Sequence, residues 1–167
     1  MTTAGFFVRA AGAEDLAGVL EMERGISGAP HWGEAEYAGI VVGSGKGDAG
    51  SVRRCLLVAE VEGRLVGFAV GKMIGLGAEG IGELESVAVE AGARRGGVGK
   101  ALCEAVAAWC RELGAAGLEL EVRVGNQAAI ELYAGIGFVA VGRRRGYYSE
   151  PVEDAVLMRL ELNPAKN

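Results

Sequence analysis

The sequence has little of what builds disulfide frameworks or soft-metal sites. Its three cysteines, Cys55, Cys103 and Cys110, form no CxxC pair, and its one histidine, His31, lies far from all of them along the chain. Neither a disulfide scaffold nor a His/Cys zinc site is expected, and no metal cofactor is. Long hydrophobic runs are missing as well: no uncharged stretch reaches the roughly 18 apolar residues of a membrane span. Met1 to Asp15 shows no basic segment followed by an apolar block, so the chain is expected to be unprocessed, cytoplasmic and free of the membrane. Nor is there an excess of positive charge. Seventeen Lys and Arg face 22 Asp and Glu, a net charge of −5. A surface that neutralises many phosphates is therefore not expected, and nucleic acid is not an expected partner. Any basic site has to be local.

Apolar residues and glycine are abundant. Half of the residues are hydrophobic and 23% are charged, which fits a folded chain and not a disordered one. A length of 167 residues is enough for one large core, so a single domain over 1–167 is expected. The 29 glycines follow no collagen period and must serve turns, caps and close backbone approaches.

Periodicity gives a mixed α/β order of about seven strands and four helices. Phe6 to Arg9 reads as a strand, Glu14 to Ile26 as a helix and Gly33 to Val42 as a second short helix. Gly43 to Ser51 is a loop by composition. Cys55 to Glu60 and Leu65 to Val70 flank Glu62-Gly63 and read as an antiparallel hairpin. Leu84 to Val89 is a strand, and Val98 to Leu113 a helix with Val98, Leu102, Ala105, Val106 and Trp109 on one face. Leu118, Leu120, Val122 and Val124 alternate with Glu119, Glu121 and Arg123, the pattern of a half-buried strand. A helix over Asn126 to Ala134 and strands over Phe138 to Gly142 and Ala155 to Leu162 complete the order. Cys103 and Cys110, seven apart, read as helix core.

Two glycine patterns fail on context. Gly75, Gly77 and Gly80 match GxGxxG, but a strand follows where a dinucleotide site needs a helix, so a hairpin loop is expected. Gly99-Lys100 has Ala101 where a nucleotide P-loop needs a Ser or Thr. A stronger signal is the strand end Val87-Ala88-Val89, followed by Arg94-Arg95-Gly96-Gly97-Val98-Gly99-Lys100 at the start of a long amphipathic helix. A helix N-terminus offers unpaired N–H groups, and glycines there let a phosphate approach the backbone.

With R-x-x-G-x-G at Arg94, Gly97 and Gly99 comes N-x-x-A-x-x-L-Y-x-x-x-G-F from Asn126 through Tyr133 to Phe138. Together these resemble the GNAT superfamily of acetyl-CoA-dependent N-acetyltransferases. Glu83 to Val89, Leu120 to Phe138 and the tail from Arg143 through Tyr147-Tyr148 resemble the branch that acetylates protein N-termini, the bacterial ribosomal-protein-alanine acetyltransferases. His31-Trp32 falls where that branch has a short helix connection. Gly125 replaces the usual small hydroxyl residue before Asn126, and Gly146 stands where the branch often has Asn.

The resemblance implies a GNAT-like sheet with a splayed central parallel pair and acetyl-CoA as co-substrate. The backbone of Val87, Ala88 and Val89 would bind the pantetheine arm, residues 95–100 with Arg94 the pyrophosphate, and Asn126 the arm again. It implies that Glu121 is the general base, acting through water, with Glu83 its rival, and that Tyr133 is the general acid and also lies against the cofactor. Tyr147 and Tyr148 would line the acceptor groove. A protein or peptide N-terminus is the expected acceptor. The alternatives are a GNAT acting on a small-molecule amine and an acetyl-CoA-binding module without turnover.

Overall fold

A computed structural model of the chain describes residues 5–25, 33–43, 52–75 and 80–162. His31, Trp32 and residues 44–51 of the expected loop lie outside them. The elements are β1 (Phe7–Ala10), a 3-10 turn (Ala13–Asp15), α1 (Leu16–Gly25), α2 (Glu34–Gly43), β2 (Val52–Val61), β3 (Arg64–Ile74) and β4 (Ile81–Val89). After them come α3 (Val98–Glu112), β5 (Gly117–Arg123), α4 (Gln127–Ile136), β6 (Val139–Tyr148) and β7 (Glu153–Glu161). The strands form one seven-stranded sheet in the order β1-β2-β3-β4-β5-β7-β6. This is the mixed α/β sheet expected, with its four helices.

Apolar alternation puts one core on each face of the sheet. On the α3 face, Leu102, Val106 and Cys110 pack with Leu118, Leu120, Phe138 and Met158. On the other face, Val19 of α1 with Tyr37 and Ile40 of α2 packs on Leu56, Val58, Phe68 and Val70. The Glu62-Gly63 turn has φ of 50° and 82°, the doubly left-handed geometry that joins tightly twisted strands, and Val61 pairs with Arg64 across it. β3 and β4 pair antiparallel with Ile74 opposite Ile81, where a dinucleotide site would need a helix to follow; Gly77 of the pattern lies outside the described residues.

Glycine also sets how closely α3 lies on the sheet. A Cβ at Gly71 would stand 2.7 Å from Val106 Cγ1 and 3.1 Å from Cys55 Sγ. All three cysteines are free and buried. Burial pushes each thiol up to about 12, which leaves essentially no thiolate at neutral pH.

One expected boundary is corrected. The strand expected over Phe138 to Gly142 runs on to Tyr148, through Arg143-Arg144-Arg145. β6 is the sheet edge and almost all of its residues are exposed, so it has no buried face to impose alternation on the sequence. Pairing with β7 holds it instead, helped by Asp154, which accepts from Arg143 Nε at 3.0 Å and from the Gly146 N–H at 2.8 Å.

Gly71→Ala should therefore lift α3 from β3. Overpacking against a stiff β-branched neighbour costs about 1–3 kcal/mol. A lower denaturant midpoint with an unchanged slope is the expected result, and an unchanged midpoint would show that α3 is not seated on this glycine.

Candidate active site

The site begins where two strands part. β4 and β5 pair in parallel at three positions, Ile81 with Gly117, Gly82 with Leu118 and Glu83 with Glu119, and the ladder ends there. β4 continues along β3 as far as Val89, while β5 continues along β7 as far as Arg123. A bulge helps turn β4 away: Gly71 pairs with Leu84 and Val70 with Ser86, which makes Glu85 the extra residue. The bulge also reverses the facing of the strand. Leu84 belongs to the α3 core, whereas Ala88, four residues on, belongs to the opposite core.

A groove of about 1220 Å³ fills the opening. Its walls include Val87, Val89, Arg94, Gly97, Gly99 and Lys100 on one side, and Glu121, Asn126, Tyr133, Tyr147 and Tyr148 on the other. Glu83 lies at the apex. The structure thus brings together most of the residues expected at the site. Arg95, Gly96 and Val98 are not on the groove wall. The Val98 side chain is buried in the core, which leaves its backbone N–H as the group able to serve a ligand; Ala88 likewise turns its side chain inward.

The start of α3 is built for an anion. Gly97 is the N-cap, at φ 89° and ψ 3°, and the first intrahelical bond runs from Ala101 N–H to the Gly97 carbonyl. The N–H groups of Val98, Gly99 and Lys100 precede that bond and have no partner within the helix. No atom lies within 4 Å of where a Gly97 Cβ would stand, so the approach is open. Arg94 Nε donates to the Val89 carbonyl at 3.1 Å, tying the strand end to the glycine turn. Across the groove, Asn126 caps α4, its Oδ1 accepting from the Ala129 N–H at 3.2 Å. That bond uses one lone pair and leaves the side-chain NH2 able to donate.

The far end holds the carboxylates. Leu118, Leu120 and Val122 of β5 enter the α3 core, so Glu119, Glu121 and Arg123 project on the other face. Each is paired. Glu119 meets Arg159 at 2.9 Å, Arg123 meets Glu153 at 3.1 Å, and Glu121 Oε2 stands 2.6 Å from Arg144 Nε. Glu85 is held by Arg54 at 2.9 Å and by Lys72 at 3.9 Å. The Glu83 side chain makes no ion pair or hydrogen bond among the described residues. No group of three or more His, Cys, Asp or Glu able to hold a metal occurs among them either.

Three tyrosines complete the walls. Tyr133 packs edge-on against Phe138, centroids 5.7 Å apart, and burial pushes its phenol above the usual range. The Tyr147 hydroxyl is hydrogen-bonded to the Glu121 carboxylate, which with partial burial raises its pKa. Tyr148 is raised by burial and by the nearby Glu121 charge, and the Arg123 guanidinium lies 4.4 Å from its ring centroid. Gly146, just before this pair, sits at φ 60°, a left-handed conformation that Asn also tolerates. Gly in place of Asn there keeps the same turn. Sequence reasoning missed Arg144 and Glu153. Glu153 ties the β5–α4 turn by accepting from Arg123 and from the Gly125 N–H at 2.7 Å.

Residues 46–138 match the Acetyltransferase (GNAT) family, and the chain belongs to that family. Among its relatives is the ribosomal protein bS18-alanine N-acetyltransferase of Escherichia coli (strain K12), 40% identical over 82 residues, 48% of this chain and 55% of that protein. The match thus spans about half the length of that curated relative. An N-alpha-acetyltransferase of Sulfurisphaera tokodaii is 38% identical over 115 residues, 63% of this chain and 68% of that protein. The crystal structure of the ribosomal-protein-S18-alanine N-acetyltransferase from Escherichia coli superposes with a TM-score of 0.77 at 29% identity, over 96% of each chain. Arabidopsis thaliana NAA60, solved in complex with acetyl-CoA, has the same fold, with a TM-score of 0.79 at 21% identity over 95% of this chain and 99% of that one.

Proposed function

We propose that this chain, acting as one domain over 1–167, transfers acetyl from acetyl-CoA to the N-terminal α-amine of a protein or peptide. The observation that carries the reading is the single groove joining the open N-terminus of α3 to the carboxylates at the parting of β4 and β5. Relatives named as N-terminal acetyltransferases support it.

The residues fit acetyl-CoA. The free N–H groups of Val98, Gly99 and Lys100, with the positive charge of Lys100 on the groove wall and the open approach at Gly97, suit a pyrophosphate. Arg94 shapes that turn through the Val89 carbonyl. Beyond Glu83 the backbone of β4 has no β5 partner, and the polar groups of Val87, Ala88 and Val89 suit the amides of a pantetheine arm as an added strand would. Asn126 faces the same arm with its free NH2. When bound, acetyl-CoA supplies an activated acetyl carbonyl: the amine nitrogen forms the C–N bond, the C–S bond breaks, the nitrogen loses a proton and the sulfur gains one.

Glu121 takes the nitrogen's proton through a water. Its carboxylate offers four lone-pair positions, and Arg144 and Tyr147 leave room for that water. Glu83 is the second carboxylate within the opening and the alternative base. Tyr133 stays protonated because burial raises its pKa, so it can donate a hydrogen bond to the departing sulfur. A thiol titrates near 8.5, below the phenol, so complete transfer from the tyrosine is uphill; the bond steadies the thiolate, which takes its proton from solvent. Tyr147 and Tyr148 form the acceptor wall.

The cofactor assignment is tested at Gly97. Gly97→Val places a branched side chain in the phosphate approach and should weaken acetyl-CoA binding at least tenfold, about 1.4 kcal/mol. Calorimetry on the variant, with its melting curve recorded because the left-handed φ adds strain, checks this; full affinity in a folded variant removes the pyrophosphate assignment.

The base is tested by two substitutions. Glu121→Gln should lower turnover by about 10²–10⁴ with acetyl-CoA affinity retained. Wild-type turnover there, together with collapse in Glu83→Gln, would transfer the role to Glu83.

The acceptor is tested with matched peptides. An α-amine titrates at about 7.7–8.0 and a lysine near 10.4, so at pH 7 the α-amine has far more neutral nucleophile. Free N-termini beginning with Ala or Ser should be acetylated at least an order of magnitude faster than blocked peptides carrying an internal lysine, as read by mass spectrometry. Comparable lysine acetylation would sink the N-terminal reading, and turnover confined to small amines would install the small-molecule alternative.

A further inference from the structure

We propose that Arg144 is a positioning residue for the transfer, holding the Glu121 carboxylate at the mouth of the parted strands; this rests on Glu121 being the base. The two residues belong to strands that do not touch. β7 lies between β5 and β6, with Leu157 paired to both Glu121 and Gly142, and Ala155 paired to both Arg123 and Arg144. The Arg144 side chain therefore crosses a whole strand on the diagonal to bring Nε within 2.6 Å of Glu121 Oε2.

The pair has a third member. Tyr147, three residues on in the same edge strand, reaches the same carboxylate through its hydroxyl, and the Arg144 guanidinium lies 5.7 Å from its ring centroid. Between them they hold the Glu121 carboxylate on the groove wall, where it stays 29% exposed. Glu83 has no comparable support among the described residues. Orientation of a base is worth much in rate, since a misplacement of about 1 Å costs on the order of 10²-fold.

Arg144 is not what keeps β6 in place. That strand is paired to β7 from Val139 to Tyr148 and pinned by Asp154 through Arg143 and the Gly146 N–H. Arg144 itself is more than half exposed, at 56%. An exposed ion pair contributes about 0–1 kcal/mol to stability. A loss of turnover without a loss of fold is thus the signature of positioning.

The experiment measures steady-state kinetics with acetyl-CoA and a peptide bearing a free N-terminal Ala. Arg144→Gln should lower kcat about tenfold or more with KM for acetyl-CoA unchanged and the melting temperature retained, and Arg144→Lys should recover part of the loss. In a Glu121→Gln background, Arg144→Gln should cost nothing further. Full kcat in a folded Arg144→Gln, or a loss that adds completely to that of Glu121→Gln, overturns the proposal. Arg144→Met, which keeps the apolar stem over Tyr147, carries the same test should the Gln variant fold poorly. Wild-type turnover in Glu121→Gln alone has a separate meaning: it removes Glu121 as the base, and the positioning role with it.

Discussion

The parallel ladder between β4 and β5 lasts three pairs, and the position at which it stops constrains everything else at the site. A parallel pair that continued would satisfy the backbone groups of Leu84–Val89 and Leu120–Arg123 with each other and leave no opening. Because β4 keeps its bonds to β3 and β5 keeps its bonds to β7, the parting leaves unpaired backbone on the two inner edges alone. Unpaired backbone away from bulk water is costly unless a partner arrives. The groove is in that sense a sheet that lacks a strand, and a thin amide-rich ligand is the chemistry that suits it. The Glu85 bulge adds the bend and sends the side chains of Val87 and Val89 to the α3 face, next to the helix whose N-terminus opens into the same groove.

Charge is distributed unequally along that groove. Toward α3, the cations Arg94 and Lys100 flank free N–H groups, and no carboxylate lies on that wall. Toward the far end, Glu85, Glu119, Glu121 and Glu153 each meet a cation from another strand, whereas Glu83 stands without one among the described residues. One cavity thereby has a cationic end and an end of paired carboxylates, in a protein whose net charge is only −5. Net charge had excluded a basic surface; the local arrangement supplies a basic pocket at a helix end without contradicting it.

What the sequence made legible follows from what leaves a periodic trace. β5 shows itself because Leu118, Leu120 and Val122 must enter the core, and the same alternation puts Glu121 on the opposite face. The α3 start shows itself because glycines and basic residues crowd into a few positions. The second half of β6 leaves no such trace: as an exposed edge it buries neither face, so Arg143 to Tyr148 read as a tail. Arg144 is hidden for a further reason. Its partner Glu121 is remote in the chain and two strands away in the sheet, and no local spacing encodes a contact that depends on strand order. Nor does periodicity reveal the bulge at Glu85, since Glu83 and Glu85 share a face with or without it and the reversal appears only from Ser86 onward.

The buried thiols bear on the kind of transfer the site can perform. A covalent acetyl-enzyme would need an activated nucleophile, and Cys55, Cys103 and Cys110 are held as thiols by burial, with pKa values pushed up to about 12. Direct attack by the amine, as proposed, then needs a proton acceptor on the acceptor side and a hydrogen-bond donor beside the sulfur. In the proposed reaction Glu121, held by an arginine from the sheet edge, is that acceptor, while Tyr133, its pKa raised by burial, donates a hydrogen bond to the sulfur and keeps its proton. The parting of two strands thus does more than admit the ligand. It lines one wall of the groove with both the ion-paired Glu121 and the half-buried Tyr133, the two side chains that the proposed transfer draws on.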